Sequence, residues 1–183
     1  HAARVAQTAR ALGLRLKAHV DEFVELGGVA WAVQAGATSV EHLLQTGPAG
    51  VAALAASETV AVCLPLTSVF LREPFAPMRA LVDAGALVAV ATDCNPGSAM
   101  TTNLPLAMQM AVLGGRLTPP EALRAVTRTA ALALAGAGGV QGQLAVGQAF
   151  DAVVMDADSP DALFYHLGSP PRALAVSAQG LLT

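Results

Sequence analysis

Apolar stretches alternate with amphipathic ones through the first half of the chain, and each apolar stretch leads into polar residues. Runs rich in valine, leucine and alanine predict buried β-strands, and the stretches between them have the length and spacing of helices. We predict strands at 14–20, 38–43, 59–65 and 86–92, and helices at 2–12, 27–34, 48–57 and 74–84. Pro65 is expected to end the third strand. This alternation predicts an α/β fold with parallel strands, because a parallel crossover needs about a dozen residues.

The pattern changes character after a glycine-rich segment at 136–139. Before it, helices are predicted at 102–113 and from Thr118 to about Ala135, with Thr118 as N-cap and Glu121 closing a capping box. After it, we predict a strand within 142–156, a short helical stretch at 161–165 and a hairpin of 173–177 with 180–183 around Gln179 and Gly180. The chain is therefore expected to divide into an α/β domain at 1–138 and a small β-domain at 139–183.

Composition narrows the class of protein. Hydrophobic residues make up 54% of the 183 residues and charged residues 13%, which indicates a sheet buried on both faces or a piece of a larger body. The net charge of −3, without clusters of lysine and arginine, argues against nucleic acid as a partner. No apolar run approaches the roughly 18 residues of a membrane span, and the first residues lack the pattern of a signal peptide. Cys63 and Cys94 are expected to be reduced, as in a cytoplasmic protein.

Ionisable side chains stand at the ends of three predicted strands. His19 lies at the end of the first strand and Glu22 just after it, His42 lies at the end of the second, and Asp93 follows the fourth. Because parallel strands bring their carboxyl ends to one rim, polar groups in these positions predict an enzyme site. Imidazole and carboxylate groups are ligands that Zn or Fe accepts. Either His42 or Asp93 could also move protons during hydrolysis.

The loop after Asp93 offers further polar groups. Asn95 and Ser98 carry side chains that could hold a ligand, and Gly97 permits close backbone approach. Structural explanations remain open for single residues: His42 as a buried hydrogen-bonded histidine, Asp93 as a turn former, and residues 21–22 as a solvated loop. Taken together, in chain order at the ends of three of the four strands, these residues favour a site.

Four segments resemble the imidazolonepropionase family, which consists of metal-dependent amidohydrolases of histidine degradation. They are Lys17–Glu22, Ser39–Leu43, Ala91–Ser98 and Leu117–Ala131, and a fifth segment, Gly142–Asp151, is similar to one of the wider amidohydrolase superfamily. The resemblance implies that the α/β part is a partial (β/α)8 barrel of the TIM type, corresponding to strands five to eight. It also implies that the C-terminal part belongs to a small β-sandwich domain.

The resemblance assigns roles to individual residues. It implies that His19 and Asp93 bind the metal, that Asp93 also activates water, and that His42 assists proton transfer. Glu22 would act as a catalytic and substrate-binding residue, and Asn95, Gly97 and Ser98 would hold the substrate. The implied reaction is hydrolysis of the imidazolone ring of 4-imidazolone-5-propanoate to N-formimidoyl-L-glutamate. The implied metal is Zn or Fe, in a cytoplasmic enzyme that is a homodimer at full length.

One departure from the family bears on activity. The His-x-His metal pair of the family's first strand does not occur in this sequence, so we expect the chain alone to bind metal weakly and not to turn over substrate. Two alternatives remain open from the sequence. The chain could belong to another amidohydrolase, such as a cytosine or guanine deaminase or a dihydroorotase, or it could be a non-catalytic, truncated α/β domain.

Overall fold

A computed structural model describes residues 1–135, 142–178 and 181–182. Its helices are α1 (Ala2–Ala11), α2 (Gly28–Gln34), α3 (Pro48–Ala55), α4 (Pro65–Leu71), α5 (Met78–Asp83), α6 (Leu104–Leu113), α7 (Pro119–Val126), α8 (Arg128–Ala135) and α9 (Ala162–Tyr165). Its strands are β1 (Lys17–Val20), β2 (Ser39–His42), β3 (Val60–Cys63), β4 (Val88–Val90), β5 (Ala152–Met155), β6 (Ala173–Ala178) and β7 (Leu181–Leu182). The predicted domain boundary at 138/139, the glycine-rich helix end at 136–139 and the hairpin turn at 179–180 lie outside the described residues.

Strands β1 to β4 form a parallel sheet in chain order. The pairing puts Val20 opposite His42, Val40 opposite Ala61 and Cys63 opposite Val90. All residues of β3 and β4 are buried, which explains their continuous apolar sequence. The predicted α/β class with parallel strands is thus confirmed, although β1 begins at Lys17 rather than at residue 14.

Apolar side chains cover both faces of the sheet near β3 and β4. Ala61 and Cys63 join a large core with residues of the surrounding helices, including Val29, Leu54 and Leu81. Val60 and Val62 point to the opposite face because side chains alternate along a strand. There they pack with residues of α8, such as Ala133. This coverage leaves the carboxyl ends of the strands as the place where polar residues collect.

Three helical regions differ from the predictions. Helix α5 begins at Met78 rather than at residue 74. Pro65 does not end β3 but begins α4, because a proline at the first helical position needs no hydrogen-bond partner for nitrogen. The helix predicted from Thr118 to Ala135 is broken at Thr127 into α7 and α8. The Thr127 hydroxyl donates to the Leu123 carbonyl at 2.8 Å, a local bond that bends helices.

The C-terminal part contains an antiparallel sheet of β5, β6 and β7. It contacts the α/β part through Gln109 of α6, whose side chain is 2% exposed. Gln109 Nε2 donates to the carbonyls of Leu163 at 2.7 Å and His166 at 2.9 Å, and its Oε1 accepts from the Gly168 N–H at 2.7 Å. Among the described residues, no helix has the length and apolar character needed to cross a membrane.

The start of α7 carries the predicted capping box between Thr118 and Glu121. Glu121 also accepts two hydrogen bonds from Arg79, at 2.8 and 3.0 Å. Arg79 and the Thr118 N–H together lower the pKa of Glu121 to about 2. Because the carboxylate form is favoured by folding, the interaction contributes stability above the ordinary pKa of 4.5 and loses it as the pH falls towards 2.

We therefore expect the Glu121→Gln variant to be less stable than the parent chain at pH 7, with the difference vanishing near pH 2. Urea unfolding at pH 7, 4 and 2.5 measures it. Glu58→Gln, in an exposed loop position, is the matched control and should show no such convergence. A constant stability difference between the Glu121→Gln variant and the parent chain across this range would contradict the assignment.

Candidate active site

His19 and His42 lie side by side at the carboxyl ends of β1 and β2. Their nearest nitrogens, His19 Nδ1 and His42 Nε2, are 2.9 Å apart, and the ring centroids are separated by 4.8 Å. The parallel register places His42 beside Val20, and the Leu43 N–H donates to the Val20 carbonyl at 3.2 Å. Residues 23 positions apart in sequence are thus brought into hydrogen-bond contact by the sheet.

The environment of His42 favours the neutral imidazole. The residue is 4% exposed, and burial lowers its pKa from the usual 6.5. The carboxylate of Glu22, with Oε2 at 3.6 Å from His42 Nε2, acts in the opposite direction but does not overcome burial. His42 Nδ1 is buried, and none of the residues described by the structure gives it a hydrogen-bond partner. A neutral histidine beside a carboxylate is suited to accepting a proton and stabilising the charged form that results.

Asp93 lies beyond the end of β4, at the same rim of the sheet. Its Oδ2 accepts a 2.7 Å hydrogen bond from the Thr67 hydroxyl on α4. Its charge is close enough to His42 to raise the pKa of that histidine slightly against the effect of burial. Within the part of the chain that the structure describes, no group of three His, Cys, Asp or Glu side chains is arranged to hold a metal ion. His19 and Asp93 are therefore not joined in a complete ligand set.

Backbone strain is concentrated at these strand ends. Asp21, His42, Leu43 and Asp93 have φ values of 52°, 78°, 65° and 53°. Residues other than glycine seldom adopt positive φ, and such conformations persist where the surrounding structure enforces them. The ends of β1, β2 and β4 thus share a feature that is frequent at functional sites.

The loop after Asp93 is organised by Asn95. Its Nδ2 donates to the Asp93 carbonyl at 2.7 Å and to Ser98 Oγ at 3.1 Å. Its Oδ1 accepts from the N–H groups of Gly97 at 2.8 Å and Ser98 at 2.9 Å. Both amide protons and both acceptor positions of Asn95 are thereby used within the loop. The predicted substrate residues Asn95, Gly97 and Ser98 therefore form one hydrogen-bonded unit next to Asp93.

The structure adds site residues that the sequence analysis did not single out. Thr67 holds the Asp93 carboxylate, and Thr46 holds Asp21. Glu41 neighbours His19 across β1 and β2, where it accepts a hydrogen bond from Ser39. Strand alternation could have indicated Glu41, which shares a face with His19 in the paired register. Thr67 could have been found only by recognising Pro65 as the start of a helix.

The two cysteines differ sharply in accessibility. Both are free, Cys63 is buried in β3, and Cys94 is exposed beside Asp93. Burial raises the pKa of the Cys63 thiol to about 12. Because the thiolate is the reactive form, we expect a thiol reagent at pH 8 to modify Cys94 within minutes and Cys63 only after unfolding. Mass spectrometry with Cys94→Ser as control measures this, and rapid labelling of Cys63 in the folded chain would contradict it.

The sequence of this chain is similar to those of known amidohydrolases. The sequence profile of the amidohydrolase family matches residues 2–180. The imidazolonepropionase of Chloroflexus aggregans is 52% identical over 174 residues, covering 94% of this chain and 40% of that protein. The imidazolonepropionase of Rubrobacter xylanophilus is 44% identical over 181 residues, covering 99% of this chain and 43% of that protein. The chain thus spans about two fifths of the length of these curated relatives.

Solved structures share the fold at lower identity. An adenosine deaminase from Xanthomonas campestris with bound zinc superposes with a TM-score of 0.81 at 22% identity, covering 98% of this chain and 47% of that chain. An atrazine chlorohydrolase from Arthrobacter aurescens, complexed with zinc, gives a TM-score of 0.81 at 22% identity, covering 97% and 45%. At this level of identity the likeness concerns the fold alone.

Proposed function

This chain belongs to the amidohydrolase family, and from that premise we propose that it forms part of the active site of an imidazolone-hydrolysing enzyme. The reaction is the opening of the imidazolone ring of 4-imidazolone-5-propanoate by water, giving N-formimidoyl-L-glutamate. The observation that carries the proposal is the 2.9 Å contact between His19 and His42 at the rim that also bears Asp93. Identities of 52% and 44% to imidazolonepropionases support this substrate over those of other amidohydrolases.

The donor groups suit a divalent metal, Zn or Fe. His19 is exposed and supplies an imidazole, and Asp93 supplies a carboxylate of which Thr67 occupies one oxygen. Among the described residues, the buried His42 Nδ1 has no hydrogen-bond partner. A buried polar atom without a partner supports the assignment of this region as a polar binding site. A metal bound there would act as a Lewis acid and lower the pKa of water. Because the chain offers two of these ligands, the remaining ones come from elsewhere in the enzyme.

The other residues act on protons and on the substrate. His42, kept neutral by burial, accepts a proton from the attacking water and returns it to the ring nitrogen as the C–N bond breaks, and Glu22 stabilises the imidazolium that exists in between. Glu22 also faces the substrate nitrogen. Gly97 and Ser98 present the loop to the substrate, while Asn95 fixes the shape of that loop.

The proposed function also assigns the two parts of the chain to parts of the full enzyme. Residues 1–138 correspond to strands five to eight of a (β/α)8 barrel, and residues 139–183 to part of a small β-sandwich domain. The parallel order of β1 to β4 and the antiparallel pairing of β5 to β7 support this division. Apolar side chains such as Phe23 and Phe70, in the segments that follow β1 and β3, are exposed to solvent in this chain. Exposed apolar surface of this kind indicates that further barrel strands, or a second subunit in a cytoplasmic homodimer, pack against it in the full enzyme.

A segment exchange tests the function. The matching segment of the Chloroflexus aggregans imidazolonepropionase is replaced by this chain, and hydrolysis of imidazolone propanoate, cytosine, guanine and dihydroorotate is measured with Zn and with Fe. We expect turnover of the imidazolone only, whereas the chain by itself should show none. Loss of activity in His19→Ala and Asp93→Ala, with His166→Ala as the control, is also expected. An inactive exchange enzyme that folds and binds metal, or activity untouched by these variants, would refute the proposal.

A further inference from the structure

The loops that follow β1 and β2 are joined by hydrogen bonds away from the histidines. Asp21 Oδ2 accepts from the Thr46 hydroxyl at 2.9 Å, and the Asp21 carbonyl accepts from the Gln45 N–H at 2.8 Å. Glu25 Oε1 accepts from the Gly47 N–H at 3.2 Å. We call the buried pair of Asp21 and Thr46 the loop clamp. It connects segments that are 25 residues apart in sequence.

The loop clamp is costly for the fold. Asp21 is 6% exposed and Thr46 is 7% exposed, and the buried Asp21 Oδ1 has no hydrogen-bond partner within residues 1–135, 142–178 and 181–182. A buried carboxylate with one satisfied oxygen is unfavourable compared with an apolar residue of similar size. Natural sequences tolerate such local conflicts mainly at sites of function. We therefore expect the loop clamp to serve the function of the site as well as the packing of the fold.

Packing fixes the direction of the Thr46 side chain. A Cβ at Gly50 would lie 2.5 Å from Thr46 Cγ2, so the methyl group lies tightly against the backbone of α3. The hydroxyl is consequently held towards Asp21. On the other side, a Cβ at Gly28 would meet Val20 at 2.9 Å and Asp21 Oδ1 at 3.4 Å, so α2 closes over the carboxylate. Both members of the clamp are thus confined by neighbouring helices.

The clamp and the histidine pair are two contacts between the same two segments. Asp21 comes two residues after His19, and Thr46 comes four residues after His42. In these two segments, Asp21, His42 and Leu43 have positive φ, a backbone conformation that persists only where the surrounding structure enforces it. We propose that Asp21 and Thr46 are positioning residues that hold His42 against His19. This inference deepens the proposed function, because it concerns the same site.

The test reads the imidazoles directly. The chain is labelled with ¹⁵N-histidine, and the ring nitrogens of its four histidines are recorded by NMR and assigned with single His→Gln variants. In Thr46→Val, which keeps the methyl against Gly50 but removes the hydroxyl, we expect the signals of His19 and His42 to move by more than their linewidths. The signals of His1 and His166 should stay in place.

Thr59→Val is the matched control. Thr59 is also buried, and its hydroxyl donates to the Ala37 carbonyl at 2.8 Å, before β3 rather than at its carboxyl end. This variant should leave the signals of His19 and His42 unchanged. Unmoved imidazole signals in Thr46→Val, or equal changes in both variants, overturn the proposal.

A conservative variant covers the case in which Thr46→Val does not fold. Thr46→Ser keeps the hydroxyl and loses the methyl, so its imidazole signals should match those of the parent chain. Signals of His19 and His42 that move in Thr46→Ser overturn the proposal. Because the measurement needs no substrate, an inactive exchange enzyme would refute the proposed reaction without affecting this outcome.

Discussion

Replacing His42 with glutamine in the exchange enzyme is expected to lower kcat by about 10²–10⁴-fold, with KM changed only a few-fold. Glutamine places a polar group near His19 but cannot take up a proton. The substitution therefore removes proton transfer and largely preserves the shape of the site. Steady-state kinetics measures the effect. His166→Gln, in an exposed position on the C-terminal segment, is the matched control and should leave both constants unchanged.

The pH profile gives this prediction a second readout. Burial lowers the pKa of His42, and the residue works as a base only when neutral. kcat of the parent enzyme should therefore stay level as the pH falls to about 6.5 and decline only below it. The residual activity of His42→Gln should lack that decline. A kcat within about tenfold of the parent, with the same acid limb, would show that another group carries the proton.

Replacing Gln109 with leucine is expected to lower the free energy of unfolding by about 2–4 kcal/mol. The substitution removes three hydrogen bonds at a residue that is 2% exposed. The Leu163 carbonyl and the Gly168 N–H then lose their bonds to Gln109, whereas the His166 carbonyl keeps the Ser169 N–H at 3.1 Å. Polar groups that lose a partner and face an apolar side chain instead are costly. Urea unfolding at pH 7 measures the loss.

The location of the effect is as informative as its size. Hydrogen exchange should accelerate in residues 163–168 in Gln109→Leu and change little in β2 and β3. Gln45→Leu is the control, because Gln45 Nε2 makes a single long contact of 3.4 Å to Glu73. Uniform acceleration across the chain in Gln109→Leu would mean that the contact supports the whole core rather than the C-terminal segment.

Much of the α/β part could be predicted from sequence because its signals are local. The buried runs at β3 and β4 and the capping box at Thr118 depend on residues close together along the chain. The sequence does not predict helix α4, because a proline directly after a buried apolar run indicates the end of a strand. Its first four residues are buried, so no amphipathic pattern marks it as a helix.

The site was predictable at the level of strand ends but not at the level of contacts. His19 and His42 could be expected at one rim, because parallel strands bring their carboxyl ends together. The clamp between Asp21 and Thr46 could not, because it depends on positive φ values and on the close approach of helices at Gly28 and Gly50. Such loop geometry is set by the folded structure, and single residue types do not encode it.

The loop of Asn95 has a consequence for the thermodynamics of ligand recognition. Its four internal hydrogen bonds give the segment after Asp93 its shape during folding. A molecule that docks there would therefore meet a preorganised surface and would not have to order a flexible segment, a step that weakens association. Discrimination between ligands at this loop should consequently arise from steric fit to a rigid template rather than from induced adaptation.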